Sequence, residues 1–466
     1  MAEESLMEKI VSLCKRRGFV YQGSEIYGGF PGTYDYGPYG VELANNIRAA
    51  WWRAMVQHEN NIVGLDSAIF TNPKVWEASG HVSGFSDPLV ECKSCHTRSR
   101  ADHLLEAVGA FADEKMSIEE INTVFDTHRA TITCPVCGKK EFTEVRRFNL
   151  LVQSNLGNFT GDWTKEPTYL RGETCQGIYI NFKNVLDSAR VKIPFGIAQI
   201  GKAFRNEIAP RQYIFRLREL TQMEMQMFVR PEDEMRVYEE WRAKRWQYYL
   251  DLGFDPKNLK WHEHENLVFY AKAAWDIEYK FPFGFKEMEG VHARGDYDLS
   301  QHQKFSGTDL SYFDEATKER FVPHIVETSV GLDRTFLAVM TEFYHEDTMG
   351  DDTRVVMRFP AKLAPIKAAV FPLLKNKPEL VAKAREVYTM LKKDLRVEWD
   401  DNGNVGKRYR RQDEIGTPFC ITIDFDTLGE NPDLADTVTV RDRDTGEQKR
   451  IAIEDLSALL TEAIKA

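Results

Sequence analysis

Four cysteines in two pairs are the first residues whose spacing suggests chemistry. Cys92-x-x-Cys95 and Cys134-x-x-Cys137 form two knuckles, while Cys14, Cys175 and Cys420 stand alone. Two such pairs suit tetrahedral zinc, because each pair spans two corners of the tetrahedron. Gly138, directly after Cys137, fits the tight turn of a knuckle. The plainer alternative is a redox pair or unligated thiols. His96 is read as a surface residue, since four thiolates already complete a site. The lone cysteines are expected in the core or in a pocket wall.

A second group is charged. Phe204-Arg205-Asn206-Glu207 follows strand-like Ile197–Ile200, and Arg216-Leu217-Arg218-Glu219 precedes a second strand, Met223–Val229. This predicts a hairpin with charged groups at a strand end and around its loop. An arginine that cannot lose its charge grips phosphate with its planar fork, and a nearby glutamate accepts from an amino group. The alternative is a solvated hairpin tip with surface ion pairs. Downstream, Glu327-Thr328-Ser329-Val330-Gly331-Leu332-Asp333-Arg334 reads as strand, glycine turn and helix. Arg334 falls in the first helical turn, where the helix dipole disfavours a cation. It therefore needs another reason to be there, such as stacking on a ring or pairing with an anion.

The elements that must position these groups can be read from the pattern. Residues 1–75 open with a helix, then a Gly/Tyr-rich segment (Gly23 to Gly40), a helix-forming run Val41–Gln57 and a strand-like stretch Asn61–Phe70. Residues 88–148 read as an inserted module carrying the knuckles, with a helix-like stretch His103–Lys115. From 149 to 345 strands dominate, among them Gly177–Phe182 and Met223–Val229, interrupted by helices Glu232–Leu252 and Leu332–Tyr344. After Pro360, strands (Ile366–Phe371, Val397–Trp399, Phe419–Phe425, Thr437–Arg441) alternate with helices (Pro378–Leu391, Ile453–Ala463), which predicts a separate α/β domain.

Composition bounds the class. The chain has 466 residues, 42% hydrophobic and 29% charged, with a formal net charge of -11. That is a globular balance, and it excludes a disordered chain and a general nucleic-acid coat. No apolar run has the ~18 residues of a membrane span. The start lacks signal or transit character, so the expected location is the cytoplasm, away from membranes.

The two charged segments, in this order, resemble motifs 2 and 3 of class II aminoacyl-tRNA synthetases. Val41 to Pro73 resembles motif 1, the dimer-forming helix and strand ending in proline. The resemblance sharpens to the glycyl-tRNA synthetase family of the single-chain homodimer type. It rests on Arg16-Arg17-Gly18-Phe19, Tyr34-Asp35-Tyr36-Gly37-Pro38, Asn72-Pro73-Lys74-Val75-Trp76-Glu77-Ala78-Ser79-Gly80-His81, Arg171-Gly172-Glu173-Thr174-Cys175-Gln176-Gly177, Arg205-Asn206-Glu207-Ile208-Ala209-Pro210-Arg211 and Glu327-Thr328-Ser329-Val330-Gly331. Six stretches in the right order are hard to obtain by chance, and the similarity runs from about residue 7 to the C-terminus.

The resemblance implies an α+β fold. An antiparallel sheet flanked by helices forms a catalytic domain over 1–345, with a zinc-binding insertion at 88–148 and an α/β anticodon-binding domain at 361–466. It implies a homodimeric ligase that activates glycine with ATP and Mg2+ and passes it to tRNA(Gly). Arg205, Glu207 and Arg334 are its catalytic set. Arg205 binds the α-phosphate, Glu207 receives the adenine amino group and Arg334 covers one adenine face. The wider ATP site comprises Asn206, Phe215, Arg216, Leu217, Arg218, Glu219, Leu220, Glu287, Met288, Gly331, Leu332 and Asp333. Glycine is expected at Arg100, Glu173, Gln222, Glu224, Arg294, Glu327 and Ser329, where converging carboxylates crowd the α-carbon and exclude even a methyl group.

One position departs from the family pattern. Leu220 stands where an aromatic usually stacks on adenine, unless Phe215 or another ring compensates. His292, His302 and His324 are expected to be hydrogen-bonded structure. The basic run Lys407-Arg408-Tyr409-Arg410-Arg411 falls in the expected tRNA domain. A non-catalytic tRNA-binding or regulatory relative is the alternative. It is disfavoured because Arg205, Glu207, Arg334, Glu173 and Glu327 are all present. A synthetase for threonine, proline, serine or histidine is a third reading, weakened by the lack of a side-chain pocket.

Overall fold

The computed structural model describes residues 4–112, 116–155, 167–208, 210, 212–264, 267, 271–349 and 352–465. Ala209, Arg211 and the end of the expected helix at Lys115 lie outside the described residues. The opening helix α1 (Leu6–Arg17) starts with a capping box in which Ser5 and Glu8 satisfy each other's backbone N–H. Pro38 begins α2 (Pro38–Trp52), whose last turn widens over Arg53–Gln57 and leads to β1 (Ile62–Gly64). The expected strand Asn61–Phe70 is thus cut to three residues. Beyond Leu65, whose N–H still bonds the Ala198 carbonyl, the chain leaves the sheet, and the Ser67 carbonyl accepts instead from Arg171 at 2.8 Å.

The central sheet has seven strands: β1, β2 (Phe195–Phe204), β3 (Glu219–Val229), β4 (Leu259–Glu263), β5 (Ala273–Phe281), β6 (Gly284–Gly295) and β7 (His324–Gly331). Their spatial order is β4-β5-β6-β7-β3-β2-β1, antiparallel throughout except for β1 beside β2. The hairpin expected from the two charged segments is β2–β3. Strand periodicity of two divides the faces. Met223, Met225 and Met227 of β3, Val291 and Ala293 of β6, and Val326 and Val330 of β7 are buried on one face. Helices α4 (Glu234–Asp251) and α5 (Leu332–Glu342) share that core. A buried pair ties α4 to the sheet: Arg245 Nη2 donates to Glu289 Oε2 at 3.0 Å, and Tyr249 Oη donates to the same carboxylate at 2.6 Å.

The expected strand Gly177–Phe182 is instead the end of helix α3 (Cys175–Ile180) and the start of the next helix. Cys175 through Tyr179 are all buried. A helix buried on every side has no polar stripe, so its apolar run cannot be told from a strand by periodicity. Helices 182–189 and 297–306 also interrupt a stretch expected to be mostly strand.

Residues 86–149 gather a core of their own around Val90, Leu105, Ile121, Phe125 and Phe142. A three-stranded sheet (86–91, 98–100, 146–149) and helices Ala101–Glu106 and Ile118–His128 build it. The second helix was not expected from sequence.

Near the C-terminus, α6 (Pro378–Leu391), α7 (Val405–Ile415) and α8 (Leu456–Lys465) accompany a five-stranded sheet. Its strands are β8 (Ala368–Pro372), β9 (Val397–Trp399), β10 (Phe419–Ile423), β11 (Thr437–Asp442) and β12 (Gln448–Ala452), in order β9-β8-β10-β11-β12. The basic run lies on α7, between strands β9 and β10. Arg408 is 1% exposed, its guanidinium held by the carbonyls of Pro372, Asp401 and Gly403. Arg411 pairs with Asp400 and Tyr409 bonds Thr422. Arg408 is therefore a structural strut, and Lys407 stays exposed. Among the described residues no helix is long and apolar enough to cross a membrane.

Candidate active site

The polar face of the sheet opens into a cleft of about 420 Å3. Register builds its floor. Glu224 of β3 stands opposite Ser329 of β7, and Gln226 opposite Glu327. On the other side of β7, Glu327 stands opposite His292 and Ser329 opposite Gly290. The β6–β7 register shifts between Ala293 and Gly295, so Arg294 sits at an irregularity that re-aims its side chain. Its guanidinium reaches Glu327 and Asp298, both at 3.0 Å.

Three carboxylates share this floor and titrate differently. Burial works against the charge on Glu327, but Arg294 and the His292 hydrogen bond outweigh it and hold the group at about 2. Glu173 is likewise opposed by burial yet held well below the usual range by His81, Arg294 and Cys175. Its oxygen accepts from Gln176 at 2.9 Å. Glu224 goes the other way: burial, then repulsion from Glu327 and Glu173, lifts it to about 7. Thr174, Gln222 and Ser329 donate to it at 2.5, 3.1 and 2.7 Å. The result is an acidic floor with a permanently charged guanidinium, Arg294, beside it.

Cations line the outer part. Arg205, at the end of β2, donates to the Gly172 carbonyl at 3.2 Å and lies over Phe85. Arg216 approaches Glu207 at 3.7 Å. The Arg334 guanidinium lies 4.4 Å from the Phe215 ring centre and pairs with Glu287 at 3.1 Å. A base between two flat groups needs about 7 Å, twice the van der Waals spacing. Phe215 is therefore not poised as the wall opposite Arg334. Leu220 lines the cleft instead.

Most of the expected residues converge here: Glu173, Arg205, Glu207, Phe215, Arg216, Leu217, Leu220, Gln222, Glu224, Glu287, Arg294, Glu327, Ser329, Gly331, Asp333 and Arg334. Asp333 is already engaged, accepting from Tyr36 Oη at 2.5 Å and Thr221 N–H at 2.8 Å. Six expected residues do not line the cleft. Arg100 pairs with Asp87 and Asp102 in the inserted module, at 2.8 and 2.6 Å. Arg218 donates to the Glu207 carbonyl and lies over Phe30. Glu219 pairs with Lys202. Met288 and Leu332 are core residues. Asn206 uses its backbone N–H on Leu150.

His292 is hydrogen-bonded, as expected, but its partner belongs to the acidic floor. It bonds Glu327 through Nδ1 at 3.0 Å, and although burial opposes its charge, Asp276 and Glu327 lift it to about 9. Its partner across β6–β7 could have been found only from the register. His302 bonds Gln176 and His324 bonds Glu234, as structural histidines do.

The four knuckle sulfurs lie together: Cys92–Cys137 at 3.6 Å and Cys95–Cys134 at 3.5 Å, all four within 4.8 Å. Sulfurs on tetrahedral zinc at ~2.3 Å are about 3.8 Å apart, so the donor set fits. His96 and Gly138 close the two turns with left-handed backbones at φ 58° and 69°, and each N–H bonds back to Cys92 or Cys134. His96 points into solvent, as expected.

A sheet of this order with arginines over its polar face is the architecture of a class II tRNA synthetase core. Residues 158–344 match the family model described as tRNA synthetase class II core domain (G, H, P, S and T), and residues 367–463 match the anticodon binding domain. Curated glycine–tRNA ligases are similar over the full length. That of Clostridium acetobutylicum is 50% identical over 100% of both chains, and that of Thermobifida fusca is 50% identical over 99% of each. That of Chlorobaculum tepidum is 47% identical over 97% of this chain and 99% of its own. The chain belongs to the glycine–tRNA ligase family.

Proposed function

We propose that the cleft joins glycine to ATP, releasing pyrophosphate, and then passes the glycyl group to the 3′ end of tRNA(Gly). One observation carries this reading: three carboxylates and Arg294 crowd one end of a cleft whose other end is lined by Arg205, Arg216 and Arg334. An ammonium needs acceptors, and Glu173, Glu224 and Glu327 supply them. A carboxylate needs a cation, and Arg294 answers it. Packed acids leave no room for a side chain, which turns away alanine by collision.

The glycine carboxylate is already ionised, so adenylation needs no protein base. Negative charge builds on the α-phosphate under attack, and a fixed arginine that requires no reorganisation lowers that barrier. Arg205 has this role, with Glu207 accepting from the adenine amino group and Arg334 stacking on the base. Glu287, on the rim, would reach Mg2+, which neutralises phosphate charge when bound. The four thiolates would hold a structural zinc that crosslinks the knuckles.

The remaining assignments follow from the same reading. Residues 1–345 form the catalytic unit, 88–148 the zinc module and 361–466 the anticodon unit, in a cytoplasmic homodimer. Charging of tRNA with labelled glycine tests the proposal. Charging with glycine and not alanine is expected; tRNA binding without charging would favour the non-catalytic alternative.

A further inference from the structure

Beside the acidic floor, three groups have no part in the reaction just described: His264, Asp276 and His292. Register brings them to one face. Asp276 of β5 stands opposite Gly290 and Ala274 opposite His292, while His264 follows β4 and donates its N–H to the Ala274 carbonyl at 3.1 Å. Both histidines present Nε2 to the same carboxylate. His264 Nε2 is 2.7 Å from Asp276 Oδ2, and His292 Nε2 is 3.7 Å from Oδ1. One donor atom from each residue lies within 4.8 Å of the others.

Two further features favour a ligand there. First, His292 is oriented from behind. Its Nδ1 is tied to Glu327 at 3.0 Å, which fixes the ring so that Nε2 faces Asp276 and His264, and a cation bound there takes the place of the Nε2 proton. A carboxylate behind a histidine is the usual support of a metal-binding imidazole. Second, the ring has room to lean inward. A Cβ on residue 290 would lie 2.8 Å from His292 Nε2 and 3.3 Å from Asp276 Oδ1, so only glycine permits this approach.

We propose that His264, Asp276 and His292 form a second metal site, taking a borderline divalent cation such as Zn2+, Co2+ or Ni2+ in the wall of the cleft. Two imidazoles and one carboxylate suit these ions over Mg2+ or Ca2+. Three protein ligands leave positions facing the cleft for water or a ligand group. Bond lengths of ~2.0–2.2 Å require the donors to close in. His264 can supply that movement, since its side chain is 38% exposed at a strand end. The site is independent of the four-thiolate cluster and of which amino acid the enzyme activates.

Cobalt titration of full-length protein holding a single zinc per chain, on the four thiolates, and no nucleotide tests the proposal. One further equivalent should bind with d–d absorption but no thiolate-to-cobalt charge-transfer band. His264→Ala, Asp276→Asn and His292→Ala should each lose that equivalent. Glu327→Gln should weaken it about 10–100-fold, the usual effect of removing the outer partner of a ligating histidine. His264→Ala alters a part-exposed side chain, so its result does not hinge on variants in the sheet folding. No cobalt beyond thiolate-ligated ion, or an extra equivalent held equally by wild type and the variants, would overturn the proposal.

Discussion

Ser329 and Glu224 are register partners across β7 and β3, and the serine hydroxyl donates to the carboxylate at 2.7 Å. That bond favours a charged Glu224, yet burial and two neighbouring acids prevail and lift it from 4.5 to about 7. An ammonium binds the ionised form. The glycine KM should therefore fall about tenfold between pH 6 and 8, as the ionised fraction rises through that pKa. Glu224→Gln should flatten the dependence. A wild-type KM that stays constant over this range would contradict the assignment.

The same shift has an opposite consequence for folding. A carboxyl raised in the folded state binds its proton there before the unfolded chain does. Its stabilising contribution is present below about 4.5 and is lost as pH rises through about 7. Glu224→Gln should remove this slope from denaturant titrations compared at pH 5 and 8.

Leu220 lines the cleft while Phe215 lies under Arg334. Leu220→Phe should restore a stacking face worth about 0.5–1.5 kcal/mol, lowering the ATP KM about two- to tenfold with the glycine KM unchanged. No gain in ATP affinity would sink the stacking account.

Breaking the Arg245–Glu289 pair leaves a buried charge alone. Glu289→Gln should cost about 3–5 kcal/mol, read as a lower midpoint in urea. A change below 1 kcal/mol would mean the pair does not anchor α4 to the sheet.

Metal analysis checks the four thiolates. Wild type should carry at least one zinc per chain, and Cys134→Ser should release one equivalent and loosen residues 86–149 to proteolysis. Unchanged zinc content in the variant would refute the site.

Much of this site was legible because family motifs mark it. Arg205, Glu207, Glu173, Glu327 and Arg334 lie in those motifs and meet in one cleft. What stayed hidden depends on register and burial. His292 matters because it faces Glu327 across β6–β7, a pairing that no local pattern encodes. Arg100 was drawn to the cleft by resemblance, but Asp87 and Asp102 hold it in the inserted module. Arg408 sits in the basic run of the expected tRNA domain, whereas the helical period turns it inward onto three carbonyls. Gly177–Phe182 read as strand because an all-buried helix hides its period.

Glycine-dependent exchange of pyrophosphate into ATP tests the central claim most directly. Wild type should exchange with glycine and not with alanine or serine, and Arg205→Ala should lower the rate by at least about 100-fold, the scale set by removing one preorganised charge-stabilising group. Exchange supported by another amino acid, or an Arg205→Ala enzyme of undiminished rate, would contradict the account.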